Sequence, residues 1–162
     1  MRLLALTAAA LLASATTVLA APASVNVAVG PELQKKFEKT YGLREAEFLT
    51  KDLRESVTAQ LAKKPIYDGA RVELVLTDVK PNRPTFKQLG DTPGLSFESF
   101  GVGGAAIEGR MIAADGTESP IKYQWFETDI RQSRANWIWS DAEWTFDRFA
   151  RRLARGQEVA GR

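Results

Sequence analysis

GVGGAAIEGRMIAADGTESPIKYQWFET, residues 101–128, decides the fold of this chain. Two β-prone runs flank Asp115-Gly116, with residues 117–120 completing the turn, so the stretch reads as a hairpin. The first run opens on Gly103-Gly104, holds Gly109 in its middle and is rich in Ala, whereas the second carries Tyr123, Trp125 and Phe126. Small residues on one strand leave room for large ones on the next, or for a helix to lie close. Ala105, Ile107, Gly109, Met111 and Ala113 share one face, and Glu108, Arg110 and Ile112 the other. Ile121, Tyr123 and Trp125 alternate with Lys122 and Gln124. A sheet that is apolar on one face and mixed on the other suits helices covering a single side. Gly101-Val102-Gly103-Gly104 lacks the Lys-Ser/Thr of a phosphate loop and opens a strand, where such loops open a helix. A backbone bend or bulge is the expectation there.

The flanking segments fit the same layout. Residues 71–80 read as a strand, with Val72, Leu74 and Leu76 on one face and Glu73, Val75 and Thr77 on the other. Residues 80–98 form a long connection, rich in Pro, Gly, Asp and Asn, with Phe86, Leu89, Leu95 and Phe97 as apolar anchors. Upstream, Leu43, Ala46, Leu49, Leu53, Val57 and Leu61 recur at helical spacing over residues 42–64, and Pro65 ends the helix. Val25, Val27 and Val29 alternate as a short strand, and Leu33 and Phe37 mark a helical turn or ordered loop between them. Downstream, the polar link DIRQSRANWIW leads to Ser140-Asp141-Ala142-Glu143, which reads as a capping box. The helix it starts buries Ala142, Phe146, Phe149, Ala150 and Leu153 and runs to about Arg155, where Gly156 ends it. The expectation is an α+β fold: a three- to four-stranded, mostly antiparallel sheet with two helices packed on one face, spanning residues 21–156 and followed by a loose tail over residues 157–162.

Residues 1–20 carry a positive start at Arg2, an apolar run and small residues at Val18 and Ala20, which predicts a cleaved Sec-type signal peptide and export to the periplasm or cell envelope. No other stretch is long and apolar enough to span a membrane. The chain has no Cys, so neither lipidation at the cleavage site nor disulfides enter. It also has no His. Without imidazole or thiol, zinc, copper, haem and Cys- or Ser-His catalysis are not expected, and neither is any metal or cofactor. Lys and Arg number 22 against 20 Asp and Glu, too even a balance for a nucleic-acid binder.

Three pieces together resemble a known family. They are Leu76-Thr77-Asp78-Val79, Gly103-Gly104-Ala105-Ala106 and the closing SDAEWTFDRFARRL helix. They resemble a bacterial envelope family known only as a domain of unknown function, the DUF three-three-one-three group. The resemblance runs over roughly residues 25–155 and implies a secreted α+β domain. It carries over no catalytic residue. Many members are predicted lipoproteins, and this chain departs from them by lacking the lipid-bearing Cys.

Four groups remain as candidate sites. Asp78, Glu108, Glu127 and Asp129 could pair for acid/base work on a glycan, or be sheet-surface charges held by Arg71, Lys80, Arg110 or Lys122. Trp125, Trp137, Trp139 and Trp144 could stack on sugars or fill a partner's pocket, against ordinary core packing for Trp125 and Trp139. Trp144 lies opposite the buried stripe, so it is either exposed or covered by the 129–139 link. Arg148, Arg151, Arg152 and Arg155 could meet an anionic surface, or simply complement the helix dipole. The expectation is a non-catalytic envelope accessory or binding protein that uses Trp137, Trp139, Trp144, Arg148 and Arg152, with an envelope protein or cell-wall component as partner. The alternatives are a glycan-binding or glycan-active protein with a carboxylate pair, and a structural subunit that self-associates through a free strand edge.

Overall fold

The computed structural model describes residues 23–157, so the expected signal peptide and nearly all of the expected tail lie outside the described residues. Four strands, β1 (Ser24–Val29), β2 (Arg71–Lys80), β3 (Gly104–Ile112) and β4 (Glu118–Phe126), form one sheet in the order β1-β2-β3-β4. β2, β3 and β4 are a meander of antiparallel neighbours, and β1 lies parallel to β2 at the edge. A parallel pair needs a crossover. It is supplied by α1 (Pro31–Lys36), a π turn over Phe37–Tyr41 and α2 (Leu43–Leu61). Among the described residues the remaining α-helices are α3 (Phe86–Asp91) and α4 (Ser140–Ala154). α2 lies along β1, α4 lies across β3 and β4, and the two helices pack against each other. The α+β layout with helices on one face is therefore as the residue pattern predicts.

The core lies between the sheet and these two helices. Trp139, Phe37, Phe146, Phe149 and Leu49 are fully enclosed. Ala46, Leu49, Leu53, Val57 and Leu61 of α2 are buried as expected, but Leu43 is 54% exposed. It occupies the first helical position, directly after Gly42 turns the chain at φ 103°, and lacks the neighbours a mid-helix position has. On β2, Val72, Leu74 and Leu76 face the core. The register then shifts between Leu76 and Asp78. That bulge reverses the alternation, so Val79 is buried while Asp78 pairs with Lys36 at 2.7 Å.

The glycines of β3 permit close approach of its neighbours. A Cβ at Gly109 would lie 2.1 Å from the Glu73 carbonyl oxygen, and one at Gly104 2.3 Å from that of Trp125. Two local readings are corrected. The capping box is absent at Ser140: α4 already includes that residue, and its hydroxyl accepts instead from the Trp137 N–H at 2.8 Å. A capping box is present at Thr85 and Gln88, where it starts α3 inside the connection read as irregular. Phe86 opens that short helix on its solvent side, 67% exposed, and anchors nothing.

Candidate functional site

α4 runs beside β4, the outer strand of the meander, and places its aromatic and cationic side chains along it. The Trp144 ring packs on Trp125 with centroids 4.4 Å apart. The Arg134 guanidinium lies 4.1 Å from the Trp144 ring centre, and that of Arg148 lies 5.0 Å from the same ring. One turn further along, the Arg152 guanidinium is 5.8 Å from the Tyr123 ring. A cation over an aromatic face gains about 0.5–2 kcal/mol and leaves its N–H fork free for another partner. Trp144 is thus half-covered by the 129–139 link, through Arg134.

Arg134 is held there by a buried knot. The Asp141 carboxylate is fully enclosed. It accepts hydrogen bonds from Asn82 Nδ2 at 2.5 Å, Gly103 N at 3.0 Å and Arg134 N at 3.1 Å. Asn82 returns the bond by accepting from Asp141 N at 2.8 Å, and its Nδ2 also reaches Ser133 Oγ at 2.9 Å. A buried carboxylate persists only with its lone pairs met by donors. Here the donors come from three separate loops, so the knot fixes all three. Gly103 has to lack a side chain, because a Cβ would lie 2.6 Å from Asn82 Oδ1.

The electrostatics of the surface are unbalanced. Among the described residues, Arg148, Arg151, Arg152 and Arg155 have no carboxylate within ion-pair distance, and Arg134 has only Asp141 at 3.8 Å. Two buried side-chain nitrogens among the described residues have no hydrogen-bond partner, Arg134 Nη1 and Arg152 Nε. Both belong to this surface.

The strand beside it has an open edge. Flanking the ladder, Glu127 N donates to Gly103 O and Ala113 N donates to Thr117 O, both at 2.9 Å. The register between them is unbroken. The odd-numbered residues of β4 therefore direct their backbone groups to β3, and Lys122, Gln124 and Phe126 direct theirs outward. Pro120 also falls at an outward position, where it has no N–H to offer.

The other candidates separate. Trp139 takes the core-packing alternative and leaves the set of binding residues: it is wholly buried, packs edge-on against Tyr41 and donates from Nε1 to Glu45 Oε2 at 2.6 Å. The link delivers it beneath the helices before α4 begins. Trp137 is 45% exposed and sits against Phe97, a different neighbour from those of Trp144. The four named carboxylates find separate partners. Asp78 pairs with Lys36, Glu108 with Lys122 at 3.4 Å, and Asp129 with Arg131 at 2.7 Å. Glu127 accepts from the Thr128 and Asp129 amides. The Arg131 guanidinium beside Asp129 holds its carboxyl below the usual range.

Raised carboxyl pKa values occur instead at Asp52 on α2 and Glu143 on α4. Burial pushes each up, and the like charge of Asp147 on both adds to it. Among the described residues no group of acidic side chains is arranged to hold a metal ion.

Arg148 and Arg152 were legible from their place on the last helix. Arg134, Asn82 and Asp141 were missed as a set. The only local signal was the run Pro81-Asn82-Arg83-Pro84, too constrained and polar for an idle loop. Fold and surface together define a two-layer α+β unit with a cationic, aromatic surface beside an open strand edge. No family model matches the chain, and no curated protein matches it as a sequence relative.

Proposed function

We propose that this chain is an exported, non-catalytic binding protein of the bacterial cell envelope. Its surface of Arg134, Trp144, Arg148 and Arg152 recognises an anionic envelope component. The observation that carries the reading is the row of guanidinium groups stacked on Trp144 and Tyr123, of which Arg148 and Arg152 have no carboxylate within ion-pair distance among the described residues. Guanidinium groups stacked on indole and phenol rings are pre-oriented to take carboxylate or phosphate through two parallel hydrogen bonds. The leader expected over residues 1–20 and the resemblance to the envelope family are the support for the compartment. The absence of His and Cys supports binding over catalysis.

The test is capture from an envelope extract with the tagged protein as bait. The control bait carries Arg148→Ala and Arg152→Ala. Both side chains are partly exposed, whereas Trp144 supports Trp125. An anionic component retained by the first bait and missing from the second is the expected result. Identical eluates would count against the reading.

A second reading, self-association, draws on the opposite edge. Ser24 N donates to Ala70 O and Gly30 N to Leu76 O, both at 2.9 Å, so Val25, Val27 and Val29 direct their backbone groups away from β2. The strand SVNVAV has neither charge nor Pro to discourage pairing. Light scattering across a concentration series, with Val27→Lys as control, separates this reading from the first.

A further inference from the structure

We propose that the β4 surface takes an extended acidic polypeptide segment, which pairs as a fifth strand with the outer edge of β4 while its carboxylates reach Arg148 and Arg152. The inference rests on the binding reading above and adds the conformation and chemistry of the partner.

Three observations converge on it. First, Lys122, Gln124 and Phe126 offer outward N–H and C=O groups in an unbroken register. This is the requirement for strand addition, in which main-chain bonds hold the guest and alternate side chains select it. Pro120 stops that edge at the hairpin end and confines pairing to residues 122–126.

Second, α4 lies over β3 and β4 and sets side chains along β4. Trp144 lies on Trp125 and Arg152 on Tyr123, so Arg148 falls between them along the strand. Residues four apart on a helix advance about 6 Å along its axis. Same-face residues of a strand repeat at about 6.8 Å. Successive side chains on one face of a guest strand therefore meet Arg148 and Arg152 in turn.

Third, the charge is complementary to acid on that face alone. Arg148 and Arg152 have no carboxylate within ion-pair distance among the described residues, whereas Lys122 on the opposite face is already engaged by Glu108. The guest thus carries Asp or Glu at alternate positions, with uncharged residues between. An anionic polysaccharide would answer the charge but leave the strand edge unmet.

The test uses a labelled peptide of about ten residues alternating Glu and Val, long enough to cover one strand. It is compared with the same peptide N-methylated at alternate amides, a Lys-Val peptide and polygalacturonate. Two variants of the protein accompany it. Arg148→Glu with Arg152→Glu removes the charge. Gln124→Pro removes an outward N–H without touching the β3 ladder.

The Glu-Val peptide is expected to bind, more weakly as salt rises. Either variant, or N-methylation, is expected to weaken it about tenfold or more. Amide exchange at Lys122, Gln124 and Phe126 slows on binding, while Tyr123 and Trp125, already paired to β3, stay unchanged. Equal binding of the methylated and unmethylated peptides, or binding of polygalacturonate with none of peptide, refutes strand addition and leaves the broader anion-binding reading standing. Failure of every anionic probe removes both.

Discussion

Replacing Asp141 tests the buried knot most directly. Asp141→Ala removes a carboxylate that is wholly enclosed and accepts from Asn82 Nδ2, Gly103 N and Arg134 N. Hydrogen bonds to a charged group contribute about 1.5–3 kcal/mol each, and a buried donor left alone costs about 1–3 kcal/mol. The losses differ by donor. Asn82 Nδ2 keeps the Gly101 carbonyl and Ser133 Oγ, and the half-exposed Arg134 amide can turn to water. Gly103 N–H is buried and has no alternative acceptor.

The working estimate for Asp141→Ala is therefore about 3–5 kcal/mol of lost stability, a large share of what a domain of this size has. Asp141→Asn is milder, about 1–2 kcal/mol. An amide oxygen placed toward Gly103 and Asn82 preserves those two bonds, and only the amide nitrogen then opposes the Arg134 N–H. Urea unfolding followed by circular dichroism measures both. The midpoint should fall with little change in slope. A cycle with Asn82→Ala should show coupling above about 1 kcal/mol. A loss below about 1 kcal/mol for Asp141→Ala would refute the reasoning, because it would mean that water or a rearranged loop replaces the carboxylate.

Three further outcomes follow from particular residues. Asp52 and Glu143 have pKa values raised above their ordinary 3.8 and 4.5, by burial first and then by acidic neighbours. The folded state therefore prefers their protonated forms, and stability present in acid is lost as pH rises through the folded pKa values. Asp52→Asn or Glu143→Gln should stabilise the protein at pH 7 by a few tenths to about 1 kcal/mol after solvent screening, with the advantage vanishing in acid; melting temperatures against pH would show a flat difference if the reasoning failed. Gly109→Ala sets a methyl group against the Glu73 carbonyl and should cost about 3 kcal/mol or more, whereas Gly116→Ala, with open space around it, should cost about 1 kcal/mol for its positive φ alone. Trp139→Ala should cost about 3–5 kcal/mol and Trp137→Ala less than about 1 kcal/mol, read from chemical denaturation of each; similar losses would contradict the placement of the two rings.

The regular elements were legible because burial imposes a period. β2 begins and ends where alternation placed it, and the stripes of α2 and α4 are buried from Ala46 and Ala142 onward. Short-range pattern could not reveal what depends on residues far apart. Ser140 and Glu143 have capping-box spacing, but the helix starts at Ser140 because Asp141 is committed to Asn82, fifty-nine positions away. Core packing was one of two readings for Trp139, and the path of the link decides it by sending that ring inward while Trp137 stays half-exposed. The parallel placement of β1 was equally silent, since a six-residue valine alternation has no direction written in it. Of the candidate surface, Arg148 and Arg152 followed from helix position. Arg134 did not, because it arrives through the knot.

The parallel edge strand has a consequence for timing. β2, β3 and β4 are joined by nearest-neighbour connections, but among the described residues β1 pairs with β2 alone, beyond the roughly forty residues that carry α1 and α2. Contacts across long stretches form late, since the entropy of closing the loop precedes any gain. A chain threaded out amino end first would release β1 well before anything exists for it to join. Until α2 and β2 follow, its valines would stay open to chaperones and to neighbouring chains. Pulse-labelled hydrogen exchange during refolding should then find the meander amides protected before those of Asn26 and Ala28, and simultaneous protection would remove the argument.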